Sequence, residues 1–254
     1  MDLFSFFRRN TKSGVEPSRL SEAETEAFLQ KNVRHSLPSW LLSLDDEPYQ
    51  PNERLIQLGL QAANRAFELN LSSLSKRFHP DLQRFVNTYP GEHYRLLTAL
   101  MEILKPALAI EIGTYQGAGC LAMKAGLPQN SRLITYDIIP FAEIENSGLN
   151  PVDFDGRMEQ RLVDLSRPLE AEAEMDLLSQ ADFIFVDAAK DGQMERDFIA
   201  LFDRIPFHKP PVVMFDDIRF VSMIPIWRSI AHPKLDMTSF GHWSGTGLVE
   251  WTRT

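Results

Sequence analysis

The chain has 254 residues, of which 44% are hydrophobic and 24% are charged, and its formal net charge is -9. This composition is typical of a globular protein with a sizeable core. It disfavours a nucleic-acid partner, because no surplus of cations is left to neutralise phosphates, and we expect a small-molecule substrate instead. The single cysteine, Cys120, cannot form an intramolecular disulfide, which predicts a reducing, cytoplasmic compartment.

The first ten residues combine phenylalanines (Phe4, Phe6, Phe7) with two arginines (Arg8, Arg9). Their apolar run is too short for a signal peptide, so we interpret it as a frayed start. A contact with a membrane surface or a partner is the alternative. No run of about 18 apolar residues occurs, so no stable membrane insertion is predicted.

The N-terminal part of the sequence has helical patterns. A helix capped by Ser21 is predicted first, and three prolines and an acidic run predict a loop over 37–51. Apolar residues at helical spacing then predict two further helices, over 55–69 and 96–104. We therefore expect a helical N-terminal region, residues 1–90, followed by an α/β domain, residues 91–254.

From residue 108 onward, short apolar runs alternate with helical or loop segments, which is typical of strands in a parallel sheet. Five buried strands are predicted, at Leu108–Ile112, Arg132–Tyr136, Arg161–Val163, Phe183–Val186 and Val212–Phe215. Turn residues separate two last runs, over 235–240 and 247–251, and predict an antiparallel pair. The expected fold is α/β, with a mostly parallel sheet of seven strands and a C-terminal hairpin.

Three of the strands end in features that suit a nucleoside. Gly113 and Gly117 after the first strand let the backbone approach a ligand, although a tight turn without a ligand explains them equally well. Asp137 after the second strand can accept both ribose hydroxyls, with a helix cap or a solvated loop as the alternative. Asp164 after the third strand can accept from an adenine amino group or act as a cap.

The fourth and fifth strands deliver three carboxylates to the same edge of the sheet, from Asp187, Asp216 and Asp217. Their mutual repulsion is costly unless a cation or a proton lies among them. Hard oxygen ligands suit Mg²⁺, so we predict a divalent cation here. The alternative is that Asp216 or Asp217 merely caps the following helix.

These motifs, in this order and spacing, resemble the class I S-adenosylmethionine-dependent methyltransferases. The motifs are Glu111-x-Gly113-x-Tyr115-x-Gly117, Asp137, Phe183-x-Phe185-Val186-Asp187-Ala188-Ala189-Lys190-Asp191 and Phe215-Asp216-Asp217. Within that class the chain is similar to the metal-dependent O-methyltransferases of the catechol and caffeoyl-coenzyme A type. The resemblance implies a Rossmann-like domain that O-methylates a small phenolic or sugar-like acceptor.

The resemblance also implies roles for individual residues. Those assigned to S-adenosylmethionine are Glu111, Gly113, Thr114, Tyr115, Gly117, Asp137, Asp164 and Asp187. Those assigned to the metal are Asp187, Asp216 and Asp217. Lys190 matches the general base of the catechol enzymes, with a surface lysine at a helix start as the alternative. Asp217 departs from the asparagine of that type and is similar to a carboxylate in sugar O-methyltransferases of antibiotic pathways.

Three further residues are secondary candidates for contact with the acceptor: His93, His242 and Trp243. For the two histidines, an ordinary partly buried side chain is the more frequent outcome, and Trp243 could equally belong to the core. Two other functions remain open, a nicotinamide-dependent oxidoreductase and a nucleoside-binding protein without catalysis. A homodimer is also left open.

Overall fold

The computed structural model describes residues 49–220 and 222–252. Seven strands form one sheet, in the order β3-β2-β1-β4-β5-β7-β6. The strands are β1 Leu108–Ile112, β2 Arg132–Asp137, β3 Met158–Leu162, β4 Phe183–Val186, β5 Val212–Asp216, β6 Lys234–Asp236 and β7 Thr246–Glu250. Strands β1 to β5 pair in parallel, whereas β7 is antiparallel to both β5 and β6. The predicted sheet, with its antiparallel C-terminal pair, is confirmed.

The central strands are fully buried, which is why they could be recognised in the sequence. Every residue of β1, β4 and β5 is buried, as expected for parallel strands that are covered on both faces. Side chains alternate between the faces: Phe183 and Phe185 join one hydrophobic core, and Ile184 and Val186 join the other. The sheet therefore lies between two apolar layers.

Two of the predicted strands differ from those observed by more than one residue. The third was expected at Arg161–Val163, but β3 spans Met158–Leu162. It lies at an edge of the sheet, and Met158 is its only buried residue. Because its other residues are mostly polar, β3 has no apolar run by which the sequence would predict it. The sixth was expected over 235–240, but β6 ends at Asp236, whose carboxylate accepts hydrogen bonds from Thr238 and so begins a 3₁₀ turn.

Eight α-helices lie within the described residues. They are α1 Glu53–Glu68, α2 Ser72–Ser75, α3 Pro80–Val86, α4 Tyr94–Leu104, α5 Ala118–Gly126, α6 Pro168–Leu178, α7 Met194–Arg204 and α8 Ile224–Ser229. The predicted helices over 55–69 and 96–104 correspond to α1 and α4. Buried residues of α1, α4 and α5 cover one face of the sheet, and those of α6 and α7 cover the other.

The described part of the N-terminal region packs on the same core as the sheet. Leu55, Ala62 and Ala66 of α1 are buried together with residues of α4, α5 and β7. Within the described residues, α1 and the sheet therefore share one core on both sides of residue 90. For the whole chain, the division at residue 90 stays a prediction. The expected helix from Ser21 and the phenylalanines near the start lie outside the described residues. Within the described residues, no helix has the length and hydropathy needed to cross a membrane.

Candidate active site

The turn after β1 can bring its backbone close to a ligand. Gly113 has φ +104°, and a Cβ there would lie 2.0 Å from the carbonyl oxygen of Asp187. Gly117, at the start of α5, has φ +88°, and a Cβ there would collide with Leu149. Both positions thus require glycine for packing as well as for conformation. They lie at the carboxyl edge of the sheet, where open α/β folds bind ligands.

Asp137 lies next to this turn. Its carboxylate accepts a hydrogen bond from the backbone N–H of Tyr115, at 2.9 Å, and others from Ile138 and Ile139. The Tyr115 side chain is 63% exposed, and its φ is +42°. The ends of β1 and β2 are therefore joined through a carboxylate, and Asp137 is fixed beside the glycine turn, as a ribose-binding residue would need to be.

Glu111 and Thr114 are buried near the turn rather than exposed at its surface. Thr135 donates a hydrogen bond to Glu111, and the hydroxyls of Thr114 and Thr135 lie 2.7 Å apart. Burial raises the pKa of Glu111 well above its usual value, which favours the neutral acid. Both residues support the turn, and their direct contact with a cofactor stays a prediction.

Asp164 makes the contacts of an Asx turn. It accepts hydrogen bonds from the backbone and the hydroxyl of Ser166, at 3.0 and 2.6 Å, and forms an ion pair with Arg167. They hold the loop before α6, but the helix cap expected as the alternative is not formed, because Arg167 is the N-cap of α6 and no side chain caps it. The adenine-binding role stays a prediction.

The three predicted metal ligands come to the same edge of the sheet, and Lys190 lies among them. Its ammonium group is 2.5 Å from Asp187 Oδ1 and 3.3 Å from Asp217 Oδ2. It also donates to the carbonyl of Ala188. Burial lowers the pKa of Lys190, but the carboxylates of Asp187, Asp216 and Asp217 outweigh this effect and raise it above its ordinary value.

Two histidines from distant parts of the chain contact Asp216, which is 3% exposed. Nδ1 of His93 lies 3.3 Å from Asp216 Oδ1, and Nδ1 of His242 lies 3.2 Å from Oδ2. The segments that carry them are held together by hydrogen bonds from Gly91 N to Gly241 O and from Trp243 N to Gly91 O. Asp216 is therefore flanked by two imidazoles that the sequence had suggested only as acceptor contacts.

The charges in the cluster compensate one another. Burial lowers the pKa of His242, but its hydrogen bonds to Asp216 and Asp217 prevail and raise it to about 10. Burial opposes ionisation of Asp216, yet His93 and His242 hold its pKa far below the usual range. Neighbouring Glu92 has its pKa raised by burial. The carboxylates thus have counter-charges from within the chain.

The loops that carry the cluster contain strained backbone. Lys190 and Asp217 both have positive φ, at +58° and +60°, a conformation that non-glycine residues rarely adopt. Glu195, which is fully buried, holds the first loop by accepting hydrogen bonds from the backbone N–H groups of Lys190 and Gly192. Strain that the surroundings maintain in this way is common at functional sites.

Aromatic side chains are exposed on the neighbouring loops. Phe220, three residues after Asp217, is 45% exposed, and Trp243, next to His242, is 70% exposed. Their ring centroids lie 6.4 Å apart. They offer an apolar surface to a ring-shaped acceptor.

Comparison with known proteins finds one family over part of the chain. Residues 78–202 match a family model described as O-methyltransferase. Over this segment, the chain is similar to the O-methyltransferase family. The matched segment contains the glycine turn, Asp137, Asp187 and Lys190, so the prediction of an S-adenosylmethionine-dependent O-methyltransferase is confirmed. Neither alternative function is supported by this family.

Solved structures also resemble this O-methyltransferase. One is the O-methyltransferase TomG from Streptomyces achromogenes, involved in tomaymycin synthesis and in complex with SAM; it is 19% identical, with 89% of this chain and 97% of that chain covered and a TM-score of 0.45. Another is an O-methyltransferase from Bacillus cereus in complex with SAH, 16% identical, with 90% of each chain covered and a TM-score of 0.44. No curated protein matches the chain. Likenesses this distant carry no conclusion about the substrate.

Proposed function

We propose that this O-methyltransferase transfers the methyl group of S-adenosylmethionine to a hydroxyl of a small phenolic or sugar-like metabolite, with the help of a divalent cation. The observation that carries the proposal is the convergence of Asp187, Asp216, Asp217 and Lys190 at the edge where Gly113 and Asp137 also lie. Methyl transfer is an in-line displacement, so the protein must hold the acceptor against the sulfonium methyl and help remove its proton.

The donor set at the ends of β4 and β5 fits a divalent cation. Carboxylate oxygens are the ligands that hard cations prefer, and the buried Oδ1 of Asp216 makes no hydrogen bond. Asp187, Asp216 and Asp217 are the proposed ligands. When bound, the cation would supply Lewis acidity that lowers the pKa of the acceptor hydroxyl.

The remaining residues have proposed roles in binding and proton transfer. Asp137 holds the ribose, while Gly113 and Gly117 let the backbone approach the methionine part of the cofactor. Lys190 takes the acceptor proton once the negative charge around it is offset. The exposed rings of Phe220 and Trp243 pack against the acceptor. A cytoplasmic location and a homodimer remain predictions.

Replacing Asp137 by alanine should weaken S-adenosylmethionine binding by about 1.5 to 3 kcal/mol, the scale of losing a hydrogen bond to a charged group. Calorimetric titration with the cofactor measures this loss. Asp155→Ala is the matched control, because Asp155 also accepts a backbone hydrogen bond. It precedes β3 and so lies near the amino ends of the parallel strands, whereas the site lies at their carboxyl ends. Equal cofactor affinity in the Asp137 variant and the wild type would remove Asp137 from the site.

The reaction itself is tested with S-adenosylmethionine that carries a trideuteromethyl group. The enzyme is incubated with Mg²⁺ and separate catechol, monophenol and sugar acceptors, and the products are analysed by mass spectrometry and NMR. We expect the label on an acceptor oxygen. Transfer to nitrogen or carbon, or no transfer to any hydroxylated acceptor, would contradict the proposed function.

A further inference from the structure

At the centre of the cluster, buried polar atoms face one another without forming a hydrogen bond. Neither ring nitrogen of His93 has a hydrogen-bond partner, and the same holds for Oδ1 of Asp216. The two residues are only 2% and 3% exposed. Nδ1 of His93 and Oδ1 of Asp216 are 3.3 Å apart, within ion-pair distance but misaligned for a hydrogen bond. Buried polar atoms without a partner are rare and costly.

The other side of the cluster is hydrogen-bonded. Ser244 donates to Asp217 Oδ1, and its hydroxyl lies 2.8 Å from Nδ1 of His242. His242 also contacts the second oxygen of Asp216, and Asp217 Oδ2 faces the ammonium of Lys190. The unpartnered atoms therefore lie on the side of Asp216 that faces His93.

We propose that His93 is a ligand of the divalent cation, together with Asp187 and Asp216. Potential ligand atoms of these three residues all lie within 4.8 Å of one another. A cation bound by His93 Nδ1 and Asp216 Oδ1 would give both atoms the partner they lack. The inference rests on the cation of the proposed function but revises its ligand set, because His93 takes the place of Asp217.

An imidazole ligand changes which metal the site prefers. Nitrogen donors suit first-row transition ions, whereas Mg²⁺ prefers oxygen donors throughout. A site with two carboxylates and one imidazole therefore binds Mn²⁺ or Zn²⁺ more tightly than Mg²⁺. Asp217 is then a neighbouring residue that holds Lys190 and His242 rather than a ligand.

The surroundings of His93 suit a fixed ligand. The rings of Tyr94 and Phe185 lie with their centroids 4.5 and 5.2 Å from that of His93, and they limit its rotation. His242 contacts the oxygen of Asp216 that faces away from His93, and so orients the carboxylate. Such outer contacts commonly orient metal ligands.

The competing explanation is that His93 and Asp216 form a buried ion pair and bind no metal. Metal binding by the full-length protein distinguishes the two. Metal-free wild type is titrated calorimetrically with Mn²⁺, Zn²⁺ and Mg²⁺ in separate experiments, without cofactor or acceptor. The same titrations are made with His93→Asn and with His232→Asn. His232 is a suitable control because it is also buried, pairs with Asp203 at 3.2 Å and packs on Trp251, away from the cluster.

We expect the wild type and the His232 variant to bind Mn²⁺ and Zn²⁺ at least about 10-fold more tightly than Mg²⁺. The His93 variant should lose about 10- to 100-fold in affinity for Mn²⁺ and Zn²⁺, at least the effect of altering an outer contact, and little for Mg²⁺. Pulsed EPR of the Mn²⁺-loaded wild type should show coupling to an imidazole nitrogen. Because His242 is also a candidate nitrogen ligand, the coupling should persist in His242→Asn, and this readout decides the question even where His93→Asn does not fold.

Absence of nitrogen coupling in the Mn²⁺-loaded wild type would overturn the inference, and so would unchanged Mn²⁺ and Zn²⁺ affinities in a folded His93 variant. In either case, cation-dependent methyl transfer by the wild type would leave the proposed function intact. Failure of the wild type to bind any of the three ions would instead contradict both the inference and the metal-assisted part of the proposed function.

Discussion

Replacing Lys190 by methionine should slow methyl transfer by about 10²- to 10⁴-fold, the usual cost of removing a general base. Methionine keeps the length and apolar character of the stem but cannot accept a proton. Cofactor binding should survive, because Asp137 and the glycine turn do not depend on the ammonium group.

The contacts of Lys190 support its proposed role as the general base and also set a condition on that role. Its ammonium lies against Asp187 and Asp217, and the surrounding carboxylates keep its pKa above the ordinary value despite burial. In this arrangement Lys190 is a proton donor. It can act as a base only where further positive charge offsets the carboxylates, which links its function to the cation.

The rate should be measured as single-turnover methyl transfer across pH, because slow product release can hide a defect in the chemical step. Lys209→Met is the matched control: Lys209 pairs with Asp182, just before β4, whereas Lys190 pairs with Asp187, just after it. The control should react at the wild-type rate. A near-normal rate for the Lys190 variant at every pH would exclude Lys190 as the base and leave Asp191, His93 or metal activation alone.

The buried strands could be predicted from the sequence because burial on both faces leaves continuous apolar runs. Strands β1 and β4 have the predicted bounds, and β2 and β5 are each one residue longer. Strand β3 was displaced because an edge strand with one well-buried residue, Met158, has no such run. The C-terminal hairpin was recognised by its turn residues, while the early end of β6 depends on side-chain hydrogen bonds of Asp236.

The carboxylate cluster was also predictable, since the carboxyl ends of neighbouring parallel strands meet at one edge of a sheet. What the sequence could not reveal is how the cluster is neutralised. His93 and His242 are far apart in the chain and meet at Asp216 only because the segments around Gly91 and Gly241 pair in the fold. No local pattern marks that pairing.

The positively charged side chains found around the carboxylates change the reason for expecting a metal. Repulsion among Asp187, Asp216 and Asp217 does not by itself require one, because Lys190 and His242 provide counter-charges. The stronger reason is the pair of buried atoms without hydrogen-bond partners, on His93 and Asp216. A cation would satisfy both atoms and also release Lys190 from acting solely as a counter-charge.

Removal of divalent cations should therefore abolish turnover. Without a cation, the acceptor hydroxyl keeps its high pKa, and Lys190 stays protonated between Asp187 and Asp217. Binding of S-adenosylmethionine should change little, because the glycine turn and Asp137 contact the cofactor through other groups. Loss of activity together with retained cofactor affinity is the signature of a cation that acts in the chemical step.

The most direct test of metal-assisted O-methylation is transfer of the labelled methyl group before chelation, after exhaustive chelation, and after the cation is added back. Cofactor affinity is measured in parallel by calorimetry, to exclude unfolding. We expect transfer to stop on chelation and to return with added Mg²⁺ or Mn²⁺. Full transfer to the hydroxyl acceptor in the chelated enzyme would contradict metal assistance and leave the carboxylates and their counter-charges with a structural or proton-sharing role.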